Sequence, residues 1–105
     1  MVITNLETVP GYETVEHYGL AQGSSVRSKH VGRDMMAGLK NLFGGELKGY
    51  TELLNESREE AIKRLTAQAN SLGANAVVNV RFSTSSITAG ASEIFAYGTA
   101  VRIQK

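Results

Sequence analysis

The sequence contains no cysteine. It therefore has no disulfide bond, no thiolate nucleophile and no metal site that uses cysteine as a ligand. It also has no apolar run near the roughly 18 residues of a membrane span, and its first residues lack the basic and then apolar pattern of a signal peptide. We therefore expect a cytoplasmic protein.

An excess of either charge sign is missing as well. Lysine and arginine together number 11 and the acidic residues 10, which leaves a formal net charge of +1. Such a balance provides no strong field to attract nucleic acid or an anionic membrane surface. We expect neither as a partner.

The length of 105 residues is that of one domain, which we take to span residues 1–105. Hydrophobic residues make up 42% and charged residues 20%, an ordinary globular composition. A chain this short buries only about two-thirds of its unfolded surface, so a partner subunit would add stability.

The first half of the chain indicates a turn and then a strand. Pro10-Gly11 is turn chemistry, and residues 12–21 favour an extended segment in which Gly19 marks either a bulge or a close approach. The following Gly23-Ser24-Ser25 is compatible with a turn or with a kinked continuation of the strand. From about Gly32 to Gly44-Gly45 an apolar stripe at helical spacing predicts a short helix.

A long helix is predicted from about Tyr50 to Leu72. Its Glu59–Lys63 and Glu60–Arg64 pairs have the favourable i,i+4 orientation, and Gly73 has the position of a C′ residue. Its apolar face comprises Leu54, Ala61, Leu65, Ala69 and Leu72, with Ile62 at the edge.

After Gly73 the pattern changes to a period of two, which predicts an antiparallel hairpin. The first strand begins at Ala76 and is expected to point Ala76, Val78, Val80 and Phe82 towards one face. A loop is expected over residues 83–90, and the last strand over residues 92–103. That strand has a small face, Ile94, Ala96, Gly98 and Ala100, and a bulky one, Phe95, Tyr97, Thr99, Val101 and Ile103.

Neither face of the last strand has the polar residues expected of a solvent-exposed surface. The long helix is the natural cover for the small face, and a second subunit is the simplest cover for the bulky face. The residues therefore predict an α+β fold, a small antiparallel sheet with one long and one short helix, which works as a homo-oligomer.

Candidate binding residues are sparse. His17 and His30 belong to no metal-binding motif, although one histidine from each copy would converge at a symmetry axis; surface or interface histidines without metal are the favoured interpretation. Arg33, Lys40 and the amides around Gly44-Gly45 are suited to an anion, but the same residues suit a capped helix and a tight turn, which we favour. Tyr50, at the start of the long helix, is suited to line a pocket.

No catalytic residue is assigned. Ser83, Ser85 and Ser86 form no nucleophile elbow, and Glu59-Glu60 lies on the solvated side of the long helix. Gly23 to Lys29 lacks the second glycine of a phosphate-binding loop, and the sequence leaves the cofactor, if one exists, unknown.

Motifs along nearly the whole chain nevertheless resemble those of the YbjQ-like family. They are Arg33-Asp34, Ala37-Gly38, Gly44-Gly45, Tyr50, Arg58-Glu59-x-Ala61, Gly73-Ala74-Asn75-Ala76-Val77-Val78 and Tyr97-Gly98-Thr99-Ala100-Val101. The resemblance implies an α+β fold in a ring-shaped homopentamer, from a bacterial or archaeal cytoplasm and of unestablished function. It makes Arg33, Asp34, Gly44, Gly45 and Tyr50 candidates for a common site.

The family is often labelled as heavy-metal-binding, a label that a chain without cysteine supports little. We rank three functions. The first is a binding ring that holds a small anion or metal ion between subunits, the second an adaptor ring for another protein, and the third a small hydrolase that uses Arg33, Asp34 and Tyr50 at the interface.

Overall fold

The computed structural model describes the backbone of residues 1–27, 48–88 and 91–105, and the side chains of residues 1–26, 54–85 and 93–105. The predicted short helix lies outside these residues. The described elements are strand β1 (Val2–Ile3), strand β2 (Glu13–Arg27), helix α1 (Lys48–Ser71), strand β3 (Ala76–Thr88) and strand β4 (Ala91–Gln104).

The four strands form one sheet in the order β1-β3-β4-β2. The β3–β4 hairpin is antiparallel as predicted, and β4 is also antiparallel to β2. β1 runs parallel to β3, with Val2 beside Ala76 and Ile3 beside Val77. The sheet is therefore mixed, and the prediction of a purely antiparallel sheet is wrong because two residues at the N-terminus add a parallel edge.

β2 is longer than the sequence pattern indicated. Gly23-Ser24-Ser25 continues the strand, which resolves the alternative that the sequence left open. Gly19 lies at a bulge with φ of +95°, and its Cβ position is open, so it serves the bulge and not a close approach. Before the strand, the Tyr12 N–H donates to the Val9 carbonyl across Pro10-Gly11, with 3.1 Å between N and O, as a β-turn requires.

Helix α1 confirms the predicted long helix within two residues at its start. Its described buried side chains follow one i,i+4 row, Ser57, Ala61, Leu65 and Ala69. Leu54 and Ile62 flank this row and are partly buried. Leu72, expected on the buried face, is 41% exposed because it lies beyond the last helical residue.

The end of α1 is a Schellman motif. Gly73 has φ of +93°, its N–H donates to the Asn70 carbonyl at 3.0 Å, and the Ala74 N–H donates to the Ala69 carbonyl at 3.1 Å. Arg102 in β4 donates to the Gly73 carbonyl at 3.1 Å, so the end of the helix is tied to the sheet.

Asn75 joins the start of β3 to the end of β4. Its Nδ2 donates to the Ile103 carbonyl at 2.9 Å, and its Oδ1 accepts from the Ile103 N–H at 2.7 Å. Its backbone carbonyl accepts from the Val2 N–H at 3.2 Å. The half-buried Asn75 side chain thus pairs with both backbone groups of Ile103, as a residue of a neighbouring strand would.

A bulge interrupts β3 between Val78 and Arg81. Asn79 has φ of 55°, a left-handed conformation, and its N–H donates to the Leu6 carbonyl at 2.9 Å. Val78 belongs to the core on one face of the sheet and Val80 to the core on the other. The prediction that both point the same way is therefore wrong, because the extra residue reverses the alternation.

The loop predicted at residues 83–90 is also wrong in extent. β3 continues to Thr88, and Ser83, Ser85 and Ser86 pair with Phe95, Glu93 and Ser92 of β4. The side chains of Ser83, Thr84 and Ser85 are exposed, so serine and threonine fit the pleat of this strand as well as they fit a loop.

The second face of the sheet has a core of its own, at one end. Val9, on the segment between β1 and β2, packs against a cluster on β3 and β4 that comprises Ala76, Val78, Val101 and Ile103. The bulky face of β4 was expected to need a second subunit. Its Val101 and Ile103, however, are covered by Val9 of the same chain.

Candidate functional site

A cleft of about 370 Å³ lies beside residues 22–24 of the edge strand β2. We call it the edge cleft. It is lined by Gln22, Gly23, Ser24, Gln68, Glu93 and Phe95. The first three belong to β2, Gln68 to α1 and the last two to β4, so the cleft depends on how the helix lies over the edge strand.

Gly23 brings the helix and the edge strand into direct backbone contact. A Cβ at this position would meet the Leu65 backbone N, and would lie 2.5 Å from the Ala61 carbonyl oxygen. The neighbouring inward residues Ala21 and Ser25 are also small and fully buried. A side chain at Gly23 would therefore push α1 away from β2.

Because the helix is so close, two of its side chains reach the backbone of β2. Gln68 Oε1 accepts from the Gln22 N–H at 2.5 Å, and Arg64 Nη1 donates to the Ser24 carbonyl at 2.6 Å. β2 is an edge strand, whose outward backbone groups would otherwise pair with water or with another chain. The two side chains occupy those groups beside the cleft.

Arg64 is itself held in place by an ion pair. Its Nε lies 3.1 Å from Glu60 Oε1, one turn earlier on α1, which confirms the predicted Glu60–Arg64 pair. Glu59 and Lys63, both described, form no ion pair within 4.0 Å. Glu60 therefore offsets much of the positive charge that Arg64 brings towards the cleft.

The β4 side of the cleft combines a carboxylate with an aromatic surface. Glu93 is half-buried, and the Ser85 hydroxyl lies 3.4 Å from its Oε1. Phe95 stacks on Tyr97 with 5.2 Å between the ring centroids and 24° between the ring planes. Among the six residues that line the cleft, Glu93 is the only charged one.

Ser25 and Ser57 form a buried hydroxyl pair between β2 and α1. Their Oγ atoms are 3.3 Å apart, and each residue is 1% exposed. The Ser57 hydroxyl donates to the Ser25 hydroxyl, and the small side chains keep the helix close to the strand. The pair explains packing and carries no nucleophilic chemistry.

A polar cluster at the other end of α1 is also structural. The Tyr18 hydroxyl donates to Glu16 Oε2 at 3.1 Å and lies next to Gly73. Desolvation raises the pKa of Tyr18, the hydrogen bond and charge of Glu16 raise it further, and Arg102 acts in the opposite direction.

Most of the residues that the sequence singled out are not among the residues that the structure describes. Arg33, Asp34, Lys40, Gly44, Gly45 and His30 are outside the described residues, as is the side chain of Tyr50. His17 is described, is exposed and pairs in register with Val101 on β4. Of these candidates only the His17 side chain is described, and it does not line the edge cleft.

The residues of the edge cleft were not identified from the sequence. A signal was available in the period-two run of small residues Ala21, Gly23 and Ser25, which marks the side of β2 on which a helix can lie closely. Glu93 and Gln68 gave no comparable signal, because each is one polar residue in an ordinary alternating or helical pattern.

The described side chains do not fit a heavy-metal site. The whole sequence lacks cysteine, and within the described parts no three His, Asp or Glu residues lie close enough together to hold a metal ion. Soft metal ions prefer thiolate ligands, which this chain does not have.

The fold defines a small α+β domain whose described part has one helix lying against a four-stranded mixed sheet. The chain belongs to the YbjQ-like family: the family model with the description "Putative heavy-metal-binding" matches residues 1–104. The resemblance inferred from the sequence motifs is thereby confirmed.

Relatives of nearly the same length occur in bacteria and archaea. A UPF0145 protein of Hahella chejuensis is 67% identical over 101 residues, which are 96% of this chain and 97% of that protein. A UPF0145 protein of Archaeoglobus fulgidus is 55% identical over 104 residues, which are 99% of this chain and 96% of the relative.

A solved structure has the same fold. It is a protein of unknown function from Pediococcus pentosaceus that belongs to the DUF74 family, with a TM-score of 0.64 and 16% identity over 99% of this chain and 98% of that one. At this identity the similarity concerns the fold alone. In the part of the chain that the structure describes, no helix is long and apolar enough to cross a membrane.

Proposed function

We propose that this protein is a non-catalytic binding protein that assembles from copies of itself and holds a small polar molecule or ion. The observation that carries the binding role is the edge cleft, where α1, β2 and β4 contribute polar side chains around a volume of about 370 Å³. Clefts of this size are typical of small-molecule sites.

The uncovered part of the second sheet face supports the assembly. Leu20 is 63% exposed and Val26 is 50% exposed. The β2–β4 register puts both on the same face as Phe95 and Tyr97. We call these four residues the open apolar patch; a second copy of the chain would cover it and, because Phe95 also lines the edge cleft, would bring the cleft to the subunit interface.

The shape of the chain points in the same direction. Its Cα radius of gyration is 16.8 Å, whereas about 13 Å is typical of a compact chain of this length. Five copies in a ring, as the family resemblance implies, is our proposal for the assembly.

The residues outside the described ranges stay candidates for a site between subunits. Arg33, Lys40 and the Gly44-Gly45 amides are suited to an anion, with Asp34 and Tyr50 beside them in the family motif. His17 and His30 are the imidazoles available for a metal ion. We also propose that the protein works in the cytoplasm, where a chain without disulfides needs no oxidising compartment.

Native mass spectrometry of untagged protein tests the assembly and any bound ion together. We expect one defined oligomer, with bound mass that elemental analysis and denaturing mass spectrometry then assign. A single-chain species at micromolar concentration would contradict the assembly, and an oligomer that takes up no ion or small molecule from a broad panel would contradict the binding role. A co-purifying protein in place of a ligand would favour the adaptor function.

The variant Leu20→Lys tests the open apolar patch. A charge there should lower the oligomer fraction, because burying an unpaired ammonium group is costly. Leu6→Lys is the matched control, since Leu6 is 51% exposed but lies on the segment between β1 and β2. Equal dissociation of both variants, or of neither, would remove the patch from the interface.

A further inference from the structure

We propose that the edge cleft selects a small organic cation, an alkyl ammonium compound, over an anion or a bare metal ion. This inference rests on the binding role proposed above and adds the class of ligand. It follows from four properties of the cleft: its charge, its hydrogen-bond acceptors, its aromatic surface and its size.

The charge of the cleft is negative. Glu93 contributes its carboxylate to the lining, and its polar neighbour Ser85 is a neutral hydroxyl. The nearby cation Arg64 is engaged by the Ser24 carbonyl and by Glu60. Among the described residues no cation pairs with Glu93, so an anion would meet this carboxylate directly, whereas an ammonium group would meet its counter-ion.

The backbone beside the cleft offers acceptors. The Gln22 N–H points out of the sheet towards Gln68, so the Gln22 carbonyl also points out, because the two groups of one residue in an antiparallel strand face the same side. The carbonyl, the Ser24 hydroxyl and the Glu93 carboxylate match an ammonium group, which has three donors and no acceptor.

Phe95 gives the site a surface for the carbon chain and the charge of such a ligand. Its ring lines the cleft and is fixed by the stack on Tyr97. An ammonium group within about 6 Å of an aromatic ring is attracted to the ring face. Neither a carboxylate nor a phosphate gains from that surface.

The size separates an organic cation from a metal ion. A volume of about 370 Å³ is far larger than one ion needs, and the lining supplies one carboxylate where a metal site needs three or four converging ligands. A linear amine with a short carbon chain fills the space and satisfies both the acidic and the aromatic side.

Three probes with the same five-carbon chain test the ligand class: cadaverine, which is a dication, neutral pentanediol and dianionic glutarate. Isothermal titration calorimetry of the full-length protein should detect binding of cadaverine and at least about tenfold weaker binding of the other two. Glutarate binding as tightly as cadaverine would overturn the charge preference and leave the binding role standing. Binding of none of the three would overturn the ligand class, and the binding role would then depend on native mass spectrometry.

Variants assign the binding to the cleft. Glu93→Gln keeps the shape and removes the charge, and Phe95→Leu removes the aromatic face; each should weaken cadaverine binding about three- to tenfold. Arg64→Gln should strengthen it, because it removes the neighbouring positive charge. Glu7→Gln, an exposed carboxylate on the segment before β2, is the control and should change nothing. Equal weakening in Glu7→Gln and Glu93→Gln would mean unspecific charge attraction and would refute the site.

Discussion

The contact between α1 and β2 at Gly23 predicts that the substitution Gly23→Ala destabilises the protein. The backbone of Gly23 is not in the left-handed region, so alanine is conformationally allowed there. In an unconstrained strand this substitution would stabilise a protein by about 0.4–1 kcal/mol, because it restricts the unfolded chain. Here we expect the opposite sign.

The magnitude follows from the distances at the contact. The added Cβ would lie 2.5 Å from the Ala61 carbonyl oxygen and 2.7 Å from the Arg64 carbonyl carbon, where ordinary contact begins at 3.4 Å. The obstacle is helix backbone, so α1 as a whole must move. Overpacking of this kind costs about 1–3 kcal/mol. The Gln22–Gln68 and Arg64–Ser24 hydrogen bonds would also weaken, at about 1 kcal/mol each.

After the gain from the restricted unfolded chain is subtracted, we expect Gly23→Ala to lower the free energy of unfolding by about 2–4 kcal/mol. Urea denaturation followed by circular dichroism measures it, at one fixed protein concentration because an oligomer's stability depends on concentration. Gly19→Ala is the comparison: its Cβ position is open, and its left-handed backbone should cost about 1–2 kcal/mol without moving the helix. A Gly23→Ala protein as stable as the wild type would refute the close contact.

Two further predictions concern other parts of the fold. Asn75→Ala removes both hydrogen bonds to Ile103 and should cost about 2 kcal/mol, whereas Asn70→Ala, on the exposed side of α1, should stay within about 0.5 kcal/mol in the same urea titration; equal losses would contradict the bridging role of Asn75. The raised pKa of Tyr18 means that its contribution to stability is complete below the tyrosine pKa of the unfolded chain, 10.0, and is lost as the pH rises through the higher pKa of the folded protein. Unfolding titrations from neutral to strongly alkaline pH should therefore show a smaller alkaline loss of stability in Tyr18→Phe than in the wild type, and identical pH profiles would contradict the raised pKa.

The sequence predicted the parts of the fold that local chemistry determines. The apolar row of α1, its glycine C-cap, the turn at Pro10-Gly11 and the hairpin all follow from patterns within a few residues of one another. The helix end is a good example, because Gly73 needs only its own left-handed conformation and the preceding turn to form the motif.

The parts that failed depend on contacts between distant segments. The bulge at Asn79 could not be predicted from its neighbours, because its left-handed conformation is supported by the hydrogen bond that its N–H donates to the distant Leu6 carbonyl. Val101 and Ile103 correctly indicated that the bulky face of β4 is buried. The residue that covers this part of it, Val9, lies about 90 residues earlier in the chain. The edge cleft was missed for the same reason, since it exists only where β2, α1 and β4 meet.

The strand order has a consequence for how the chain acquires its structure. β2 is complete at Arg27, yet its sole strand partner in the described sheet is β4, which begins at Ala91. On a ribosome, the N-terminal quarter must wait for the last residues before its ladder closes, and helix α1 has no finished surface to lie on until then. We expect a domain that folds late, in one step, and slowly for its size. Until β4 is synthesised, the backbone groups of β2 have no strand partner and are open to wrong pairing.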